Sequence, residues 1–232
     1  KLKKLKKDTP EYIEAKYEVE RLNTSQMVIK ILINSCYGYM GNKNAPIGDD
    51  DIASSVTLTG QAVIKYSNEL IKEFIKKEIP DVSDRELEGC IIYNDTDSSY
   101  VSITPLVNKG LKFLDGDDIH EETHSKIQQI EDYLNKGVEK WAKKSLLSRD
   151  SRFVFKRECI ADVGVFLQKK RYVMHILDDE GIKEDKFKYT GVEVVRTTMP
   201  NAIKPYAKKI IETMLSTQSL TKTNKKLNET YD

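Results

Sequence analysis

The sequence predicts an α+β fold, in which a long helical hairpin is followed by a small antiparallel sheet backed by helices. Three observations support this class. Two long stretches with helical periodicity come first, separated by a short loop rich in Asn, Gly and Asp. The apolar period then changes to that of strands, with turn residues between successive apolar runs. A charged stretch with helical periodicity separates the first strands from the later ones, an order typical of helices packed on an antiparallel sheet.

The two N-terminal helices carry local boundary signals. Thr9 is a candidate N-cap, and Pro10 occupies the first helical position, where its missing N–H has no helical partner to lose. The helical pattern extends over residues 11–39 and resumes over residues 52–77. Because the connecting loop is short, we expect the two helices to run antiparallel as a hairpin.

The rest of the chain is predicted to contain two groups of strands, with one helix between them and one after them. The first strands form a β-hairpin whose bend is the tetrapeptide DTDS. The predicted ranges are strands over 90–94 and 99–103, a helix over 118–147, strands within 153–177 and 186–196, and a helix over 202–215.

Composition restricts the class of protein. The chain has 232 residues, of which 39% are hydrophobic and 32% charged, as in a globular protein with a charged surface. The formal net charge of +1 provides no overall basic field. The three cysteines form no C-x-x-C pair, a pattern typical of a reducing compartment. No apolar run approaches the roughly 18 residues of a membrane span, and no signal peptide is evident. We therefore expect a cytoplasmic protein without a membrane partner.

The first helix carries a polar stripe within the stretch KILINSCYG, residues 30–38. At about 100° per residue, Lys30, Asn34 and Tyr37 share one face, and we expect the helix to pack through the opposite, apolar face. Lysine can contact a phosphate, asparagine can donate to a phosphate oxygen, and a tyrosine near Gly38 can place a flat ring against a base. The alternative is an ordinary amphipathic helix with a solvated polar face.

A pair of carboxylates occupies the bend of the predicted β-hairpin. If residues 93–97 are extended, Asp95 and Asp97 point to the same side and repel each other unless a cation neutralises them. Carboxylate oxygens suit Mg²⁺, which retains waters and accepts substrate phosphates as further ligands. Two such ions stabilise the attacking and leaving oxygens in phosphoryl transfer. The alternative is a polar turn, for which Asp, Thr and Ser are ordinary residues.

The combination of the two motifs distinguishes between these alternatives. KILINSCYG contains the pattern K-x3-N-S-x-Y-G, and YNDTDS contains Y-x-D-T-D-S. In this order they resemble the signatures of the family B, or polymerase-alpha-type, DNA polymerases, most closely those of tailed phages. The stretches FKRECI, LQKKRYVMHI and YTGVEVVRTTMPNAIK resemble later palm segments of the same family, so that the resemblance extends over nearly the whole chain.

The resemblance implies a role in nucleotide binding for residues of the first motif. Lys30 would contact the triphosphate of the incoming deoxynucleotide, and Asn34 would help to orient it. Tyr37 and Gly38 would line the pocket for the nascent base pair.

The palm motifs imply a two-metal centre for nucleotidyl transfer to a primer. Asp97 would bind catalytic Mg²⁺, Asp95 would be the accompanying acid, and Glu158 would be the third palm carboxylate. Lys170 and Tyr172 would hold primer–template DNA from the minor-groove side, where contacts test duplex shape more than sequence. Because side chains alternate along a strand, their neighbours in the K-K-R-Y run would point to the other face.

The resemblance also divides the chain by function. Residues 1–80 would form the fingers and their junction with the palm, 81–200 the palm, and 201–232 the start of the segment towards the thumb. The motif D-x-x-S-L-Y-P, which supplies another catalytic aspartate in this family, does not occur, and neither does an exonuclease sequence or a full thumb. We therefore expect a polymerase fragment that is inactive alone and needs the N-terminal polymerase part in cis or in trans. The alternatives are a non-catalytic primer–template-binding subunit and one half of a split polymerase.

Overall fold

The chain divides into two compact units, residues 1–61 and 62–232. A computed structural model describes residues 9–217 and residue 223, so that the outer ends of the predicted segments 1–80 and 201–232 lie outside the described residues. The functional division into fingers, palm and palm-to-thumb segment stays a prediction.

The described part of the first unit is helical and the second unit combines helices with small antiparallel sheets, which confirms the predicted α+β class. The first unit contains helix α1 (Pro10–Met40) and the first part of helix α2 (Asp50–Glu78). The remaining elements, in chain order, are α3 (Asp84–Gly89), β1 (Ile91–Asp95), β2 (Ser98–Val101), α4 (Thr104–Asn108), β3 (Leu114–Asp115), β4 (Asp118–Ile119), α5 (Glu121–Ser145), β5 (Cys159–Gln168), β6 (Arg171–Asp179), β7 (Ile182–Thr190), a 3-10 turn (Glu193–Val195) and α6 (Lys204–Thr217). The strands form three antiparallel sheets: β1–β2, β3–β4 and β5–β6–β7.

Local hydrogen bonds explain where the two long helices begin. The hydroxyl of Thr9 accepts the N–H of Tyr12 at 3.2 Å, and Pro10 is the first residue of α1, as predicted. The carboxylate of Asp49 accepts the N–H of Asp51 at 2.8 Å at the start of α2. Both caps satisfy amides that have no acceptor within the first turn of their helix.

The prediction that α1 packs through one apolar face is wrong, since α1 has no buried residue. Val28 and Leu32, on the predicted apolar face, are 50% and 60% exposed. Ile29, Ile31 and Ile33 are exposed on other sides of the same stretch. Apolar side chains therefore surround this part of the helix, and no single face gathers enough of them to be buried by one neighbour. Among residues 9–217 and 223, neither α1 nor any other helix is long and apolar enough to span a membrane.

The main core of the second unit lies between α2 and α5. Gly137 of α5 lets the two helices approach closely, because a Cβ at this position would lie 2.5 Å from Cδ1 of Leu70 on α2. Tyr66 stacks on Trp141 with ring centroids 5.5 Å apart. The buried apolar residues that the two helices contribute to this core cluster are Val63, Leu70, Ile71, Phe74, Ile75, Ile130, Leu134 and Val138, and Ala142 of α5 is also buried.

Two differences from the predicted elements have local causes. The helix predicted over 118–147 begins at Glu121, because residues 114–119 form the small β3–β4 hairpin and His120 caps the helix that follows. The prediction also misses α3 and α4, which are too short for a helical period to be recognised.

The β5–β6–β7 sheet has β6 as its central strand. Residues 153–158 of the predicted strand region are not part of a strand. Val173 of β6 packs with Val192, Val194 and Leu215 in a second core. The sheet is therefore covered on one side by α6 and by the chain that leads to it.

His175 of β6 links all three strands of this sheet. Its Nδ1 lies 2.8 Å from Oδ1 of Asp162 on β5, and its Nε2 lies 2.8 Å from Oδ1 of Asp185 on β7. Burial opposes a charge on the ring, but the two carboxylates together outweigh it and raise the pKa of His175.

Asp178, near the C-terminal end of β6, is 5% exposed. Its carboxylate accepts from the Arg157 guanidinium and from the N–H of Gly181, the latter at 2.9 Å. These donors compensate for the removal of the charge from water.

Candidate functional site

The predicted carboxylate pair lies at the tip of the β1–β2 hairpin. Asp95 pairs with Ser98 at the end of the ladder, and Thr96 and Asp97 form the turn. Thr96 has a φ of 56°, in the left-handed region, and the N–H of Asp97 donates to the carbonyl of Asp95 at 2.6 Å. The bend lies within DTDS, as predicted, and the condition of an extended segment through Asp97 is not met, because the chain reverses at Thr96 and the strand ends at Asp95.

Polar contacts tie this hairpin to α2. The hydroxyl of Ser99 lies 3.0 Å from Oδ1 of Asn68 on α2 and 2.8 Å from Oδ1 of Asn94 on β1. The hydroxyl of Ser98 donates to the carbonyl of Asp95 at 3.1 Å. The carboxylate pair is thus carried by a short hairpin whose end is fixed to the core helix α2.

Four aromatic side chains, here called the aromatic quartet, join this hairpin to the β5–β6–β7 sheet. They are Tyr93 of β1, Tyr100 of β2, Phe166 of β5 and Tyr172 of β6, with ring centroids from 5.3 to 6.1 Å apart. The hydroxyls of Tyr100 and Tyr172 are 2.7 Å apart. Burial and the hydrogen bond with Tyr172 raise the pKa of Tyr100, which keeps the phenol of Tyr100 neutral. Aromatic pairs of this kind each contribute about 0.5–1.5 kcal/mol beyond the area they bury.

Lys170 lies in the turn between β5 and β6, close to the carboxylates. Gln168 pairs with Arg171, so Lys170 and the residue before it form a two-residue loop. The N–H of Lys170 donates to the hydroxyl of Tyr93 at 2.8 Å, and its Nζ lies 3.6 Å from Oδ1 of Asp95. The predicted strand alternation through the K-K-R-Y run is wrong, because β6 begins only at Arg171.

The Lys170–Asp95 ion pair is weak enough to exchange partners. The side chain of Lys170 is 63% exposed and that of Asp95 is 23% exposed. A pair with this exposure contributes about 0–1 kcal/mol in water. Lys170 can therefore leave Asp95 for a phosphate or a base edge at little cost.

Tyr172 lies inside the aromatic quartet. It is 5% exposed, and its hydroxyl already has Tyr100 as a partner. In this arrangement Tyr172 supports the turn that carries Lys170 and does not itself face solvent.

The predicted nucleotide-binding residues lie on α1, in the first unit. Lys30, Asn34, Tyr37 and Gly38 are all exposed, and a Cβ at Gly38 would meet no atom within 4 Å. The polar stripe is thus present and accessible, and its role stays a prediction.

Glu158 does not join the carboxylate pair. It is exposed and directly precedes β5, whose other end carries Phe166 of the quartet. At about 3.3 Å per residue, the strand places Glu158 roughly 25 Å from Phe166 along its length. Within residues 9–217 and 223, no three His, Cys, Asp or Glu side chains form a group that could hold a metal ion. The three-carboxylate set that the sequence predicts is therefore not assembled here.

Asp95 and Asp97 nevertheless fit part of a divalent metal site. Asp97 is exposed, and no donor to its carboxylate occurs among residues 9–217 and 223. Oδ1 of Asp95 accepts the hydroxyl of Thr96 at 3.2 Å, in addition to its contact with Lys170. Magnesium commonly binds to one or two carboxylates and takes its remaining ligands from waters and phosphates. The pair has the oxygen donors for such an ion, with Asp97 the more accessible of the two.

Comparison with known proteins places these motifs in a family. The sequence profile of DNA polymerase family B matches residues 2–232. The chain belongs to DNA polymerase family B.

This family B chain is similar to polymerases of phages, archaea and viruses. It is 27% identical over 209 residues to a DNA-directed DNA polymerase of Escherichia phage RB69, covering 83% of the chain and 22% of that relative. It is 29% identical over 218 residues to DNA polymerase 1 of Pyrococcus abyssi (strain GE5 / Orsay), covering 93% of the chain and 22% of the relative. A DNA polymerase of Trichoplusia ni ascovirus 2c is 29% identical over 200 residues, covering 86% of the chain and 16% of that relative. The chain therefore spans about a fifth of the length of these relatives.

The site of this family B chain includes residues that motif reasoning missed. Phe166 and Asn68 look like any other apolar strand residue and any other polar helix residue, so no sequence signal distinguishes them. Gly191 directly follows β7 and lies against the Lys170 turn. A glycine at the end of a strand is a known sign of close backbone approach, and this signal could have identified it.

Proposed function

We propose that this chain forms the fingers helices and the palm site of a template-directed DNA polymerase. The observation that supports the proposal most directly is the junction of Lys170 with Tyr93 and Asp95. It brings the K-K-R-Y turn and the carboxylate hairpin together, although the two motifs are far apart in sequence. A site that extends a primer must hold the primer end next to the metal-binding carboxylates, and the contacts of the Lys170 turn with Tyr93 and Asp95 support a site of this kind.

The palm residues have distinct roles in this proposal. Asp97 would be the main ligand for Mg²⁺ and Asp95 the accompanying one. The primer 3′-hydroxyl attacks the α-phosphate of the deoxynucleoside triphosphate in line, and pyrophosphate leaves. Bound Mg²⁺ would offset the charge that develops on the phosphate oxygens. Lys170 contacts primer–template DNA, and Tyr172 holds the Lys170 turn through the aromatic quartet. Glu158 has no role in this set, because it lies at the other end of β5.

The α1 residues bind the incoming deoxynucleoside triphosphate. Lys30 contacts its phosphates and Asn34 orients them, since both are exposed on one helix face. Tyr37 and Gly38 line the pocket for the base pair, where the absence of a Cβ at Gly38 leaves room for a base.

We further propose that residues 9–217 and 223 do not complete the catalytic site, because no third acidic ligand joins the pair within them. Another part of a polymerase would supply that ligand in cis or in trans. The alternative function is a primer–template-binding subunit without catalysis. The effect of replacing Asp97 on turnover by a polymerase that contains this chain distinguishes the two.

The first test compares Asp97→Asn with Asp117→Asn in a polymerase that contains this chain. Asp117 is exposed in the turn of the β3–β4 hairpin and serves as the control. Because several kcal/mol of charge stabilisation depend on the metal ligand, single-turnover incorporation should fall at least about a thousandfold in Asp97→Asn. Primer–template affinity should change little, and Asp117→Asn should match the native enzyme. Normal incorporation by Asp97→Asn would refute the metal assignment.

The second test measures DNA binding by the 232-residue chain at several salt concentrations. Lys170→Ala should weaken binding to primer–template DNA and lower the slope of log K against log salt by about 0.9, the value for one lost phosphate contact. Lys186→Ala, which removes an exposed lysine paired with Asp179 on the same sheet, should leave the slope unchanged. An unchanged slope in Lys170→Ala would show that Lys170 contacts no phosphate.

A further inference from the structure

Gly191 lies against the backbone of Lys170. It directly follows β7, whose last residue Thr190 pairs with Tyr172 next to the β5–β6 turn. Its φ is 61°, and a Cβ at this position would overlap the carbonyl oxygen of Lys170 and lie 3.2 Å from the carbonyl carbon. The backbone of the Lys170 turn therefore occupies the space that any side chain at position 191 would need.

Lys170 makes three contacts, each at a different group, of which the two at its backbone hold it in place. Its N–H donates to the hydroxyl of Tyr93 at 2.8 Å, its carbonyl packs on Gly191, and its Nζ lies 3.6 Å from Asp95. Its φ of 60° is uncommon for a residue with a side chain and persists only where the surroundings impose it. The first two contacts act on the backbone and so determine the direction in which the side chain leaves the turn.

We infer that Gly191 is a positioning residue for Lys170: by leaving room for the Lys170 peptide, it keeps the N–H of Lys170 on Tyr93 and its ammonium next to Asp95. The functional part of this inference rests on the proposed polymerase function, since it assumes that Lys170 contacts primer–template DNA. The geometric part concerns the free chain and can be tested without DNA.

Two other glycines of the chain provide matched controls. Gly181, in the β6–β7 turn of the same sheet, has a φ of 85°, and the nearest atom to a Cβ there would be 3.8 Å away. Gly116, in the β3–β4 turn, has a φ of 63° and no atom within 4 Å of such a Cβ. Alanine at any of the three positions meets the same left-handed strain. Only at Gly191 does it also displace the peptide of Lys170.

The first experiment measures solvent exchange of backbone amides by NMR in the full chain. In Gly191→Ala the Lys170 amide should exchange roughly threefold to tenfold faster than in the native chain, the equilibrium effect of losing one hydrogen bond. Gly181→Ala and Gly116→Ala should leave the Lys170 amide unchanged. Tyr93→Phe, which keeps the ring and removes the acceptor, should reproduce the change even if Gly191→Ala fails to fold. An unprotected Lys170 amide in the native chain, or equal rates in all the glycine variants, would overturn the inference.

The second experiment measures affinity for primer–template DNA in a double-mutant cycle. Gly191→Ala should weaken binding by a factor similar to that of Lys170→Ala, and it should add little in the Lys170→Ala background. An equal loss in both backgrounds would show that Gly191 acts independently of Lys170 and would refute the positioning role. If Lys170→Ala leaves DNA binding unchanged while the amide result holds, the proposed DNA contact fails and the backbone arrangement stands.

Discussion

The conformation of the turn that carries the carboxylates predicts that glycine at position 96 makes the chain more stable, whereas glycine at a turn position with negative φ makes a chain less stable. Thr96 adopts a φ of 56°, which costs a residue with a Cβ about 1–2 kcal/mol relative to glycine. Replacing Thr96 with glycine removes this cost, but glycine loses about 0.5–1 kcal/mol more backbone entropy on folding, which offsets part of the gain in stability. The hydroxyl of Thr96 makes an exposed hydrogen bond with Asp95, which adds little. We therefore expect Thr96→Gly to raise the free energy of unfolding by about 0.5–1 kcal/mol.

Thr96→Ala is the matched control, because it removes the branch and the hydroxyl but keeps the Cβ. Glycine should be more stable than alanine at this position by about 1 kcal/mol, whereas at a turn position with negative φ alanine is the more stable by about 0.4–1 kcal/mol. Urea unfolding can be followed through the fluorescence of Trp141, the one tryptophan of the chain, which packs against the core of the same unit. With a slope of about 1–3 kcal/mol per molar urea, the two midpoints should differ by about 0.3–1 M. A more stable Thr96→Ala would refute the left-handed conformation of Thr96 and the turn geometry that depends on it.

Three further predictions concern charged groups and thiols. Because the pKa of His175 is raised by its two flanking carboxylates against the effect of burial, the protonated ring stabilises the fold fully below about pH 6.5, and this stabilisation disappears as the pH rises through the folded-state pKa. The difference in unfolding free energy between native and His175→Gln should therefore be larger at about pH 5.5 than at about pH 9, and a difference independent of pH would contradict the pairing. Asp178→Asn should lower the unfolding free energy by about 3 kcal/mol, because the buried Asp178 carboxylate is lost and its partly buried guanidinium partner Arg157 loses its counter-charge. Asp179→Asn, in a pair about 40% exposed, should cost less than about 1 kcal/mol in the same urea titration, and equal losses would contradict the difference in burial. A thiol reagent should modify the exposed Cys36 in the native chain but reach Cys90 only on unfolding, because Cys90 is fully buried and burial raises its pKa; equal labelling rates would contradict this order.

Local signals account for the parts of the fold that the sequence predicts. Thr9 and Pro10 mark the start of α1 because the cap depends only on neighbouring residues. The β1–β2 hairpin follows from its apolar alternation on either side of a polar turn. The prediction that an apolar face of α1 is buried is wrong because helical periodicity assigns every residue to a face of the helix but does not show whether another element covers that face.

The site itself depends on contacts that no local pattern contains. The K-K-R-Y run reads as a strand because its turn lacks the Gly or Asn that usually indicates left-handed loop residues, yet Lys170 has a φ of 60°. The alternation of apolar and polar residues along a strand also does not show at which residue the strand ends. The sequence pattern therefore cannot show that Lys170 lies in the turn and Arg171 in the strand. The bond from Lys170 to Tyr93 and the contact with Gly191 join three segments of the chain, and such contacts require the tertiary structure.

The distribution of left-handed residues suggests why this site tolerates strain. Two residues with side chains, Thr96 and Lys170, adopt positive φ at the tips of the two hairpins that meet at Asp95. Each would be more stable as glycine by itself, so their conformations require support from surrounding contacts. The aromatic quartet provides that support, because its rings are shared between the two hairpins. A glycine at position 96 would remove the strain there and also widen the range of positions open to the carboxylates. Thr96→Gly should therefore increase stability while weakening Mg²⁺-dependent incorporation, and a gain in stability without such a loss would show that the strain at Thr96 has no part in the function.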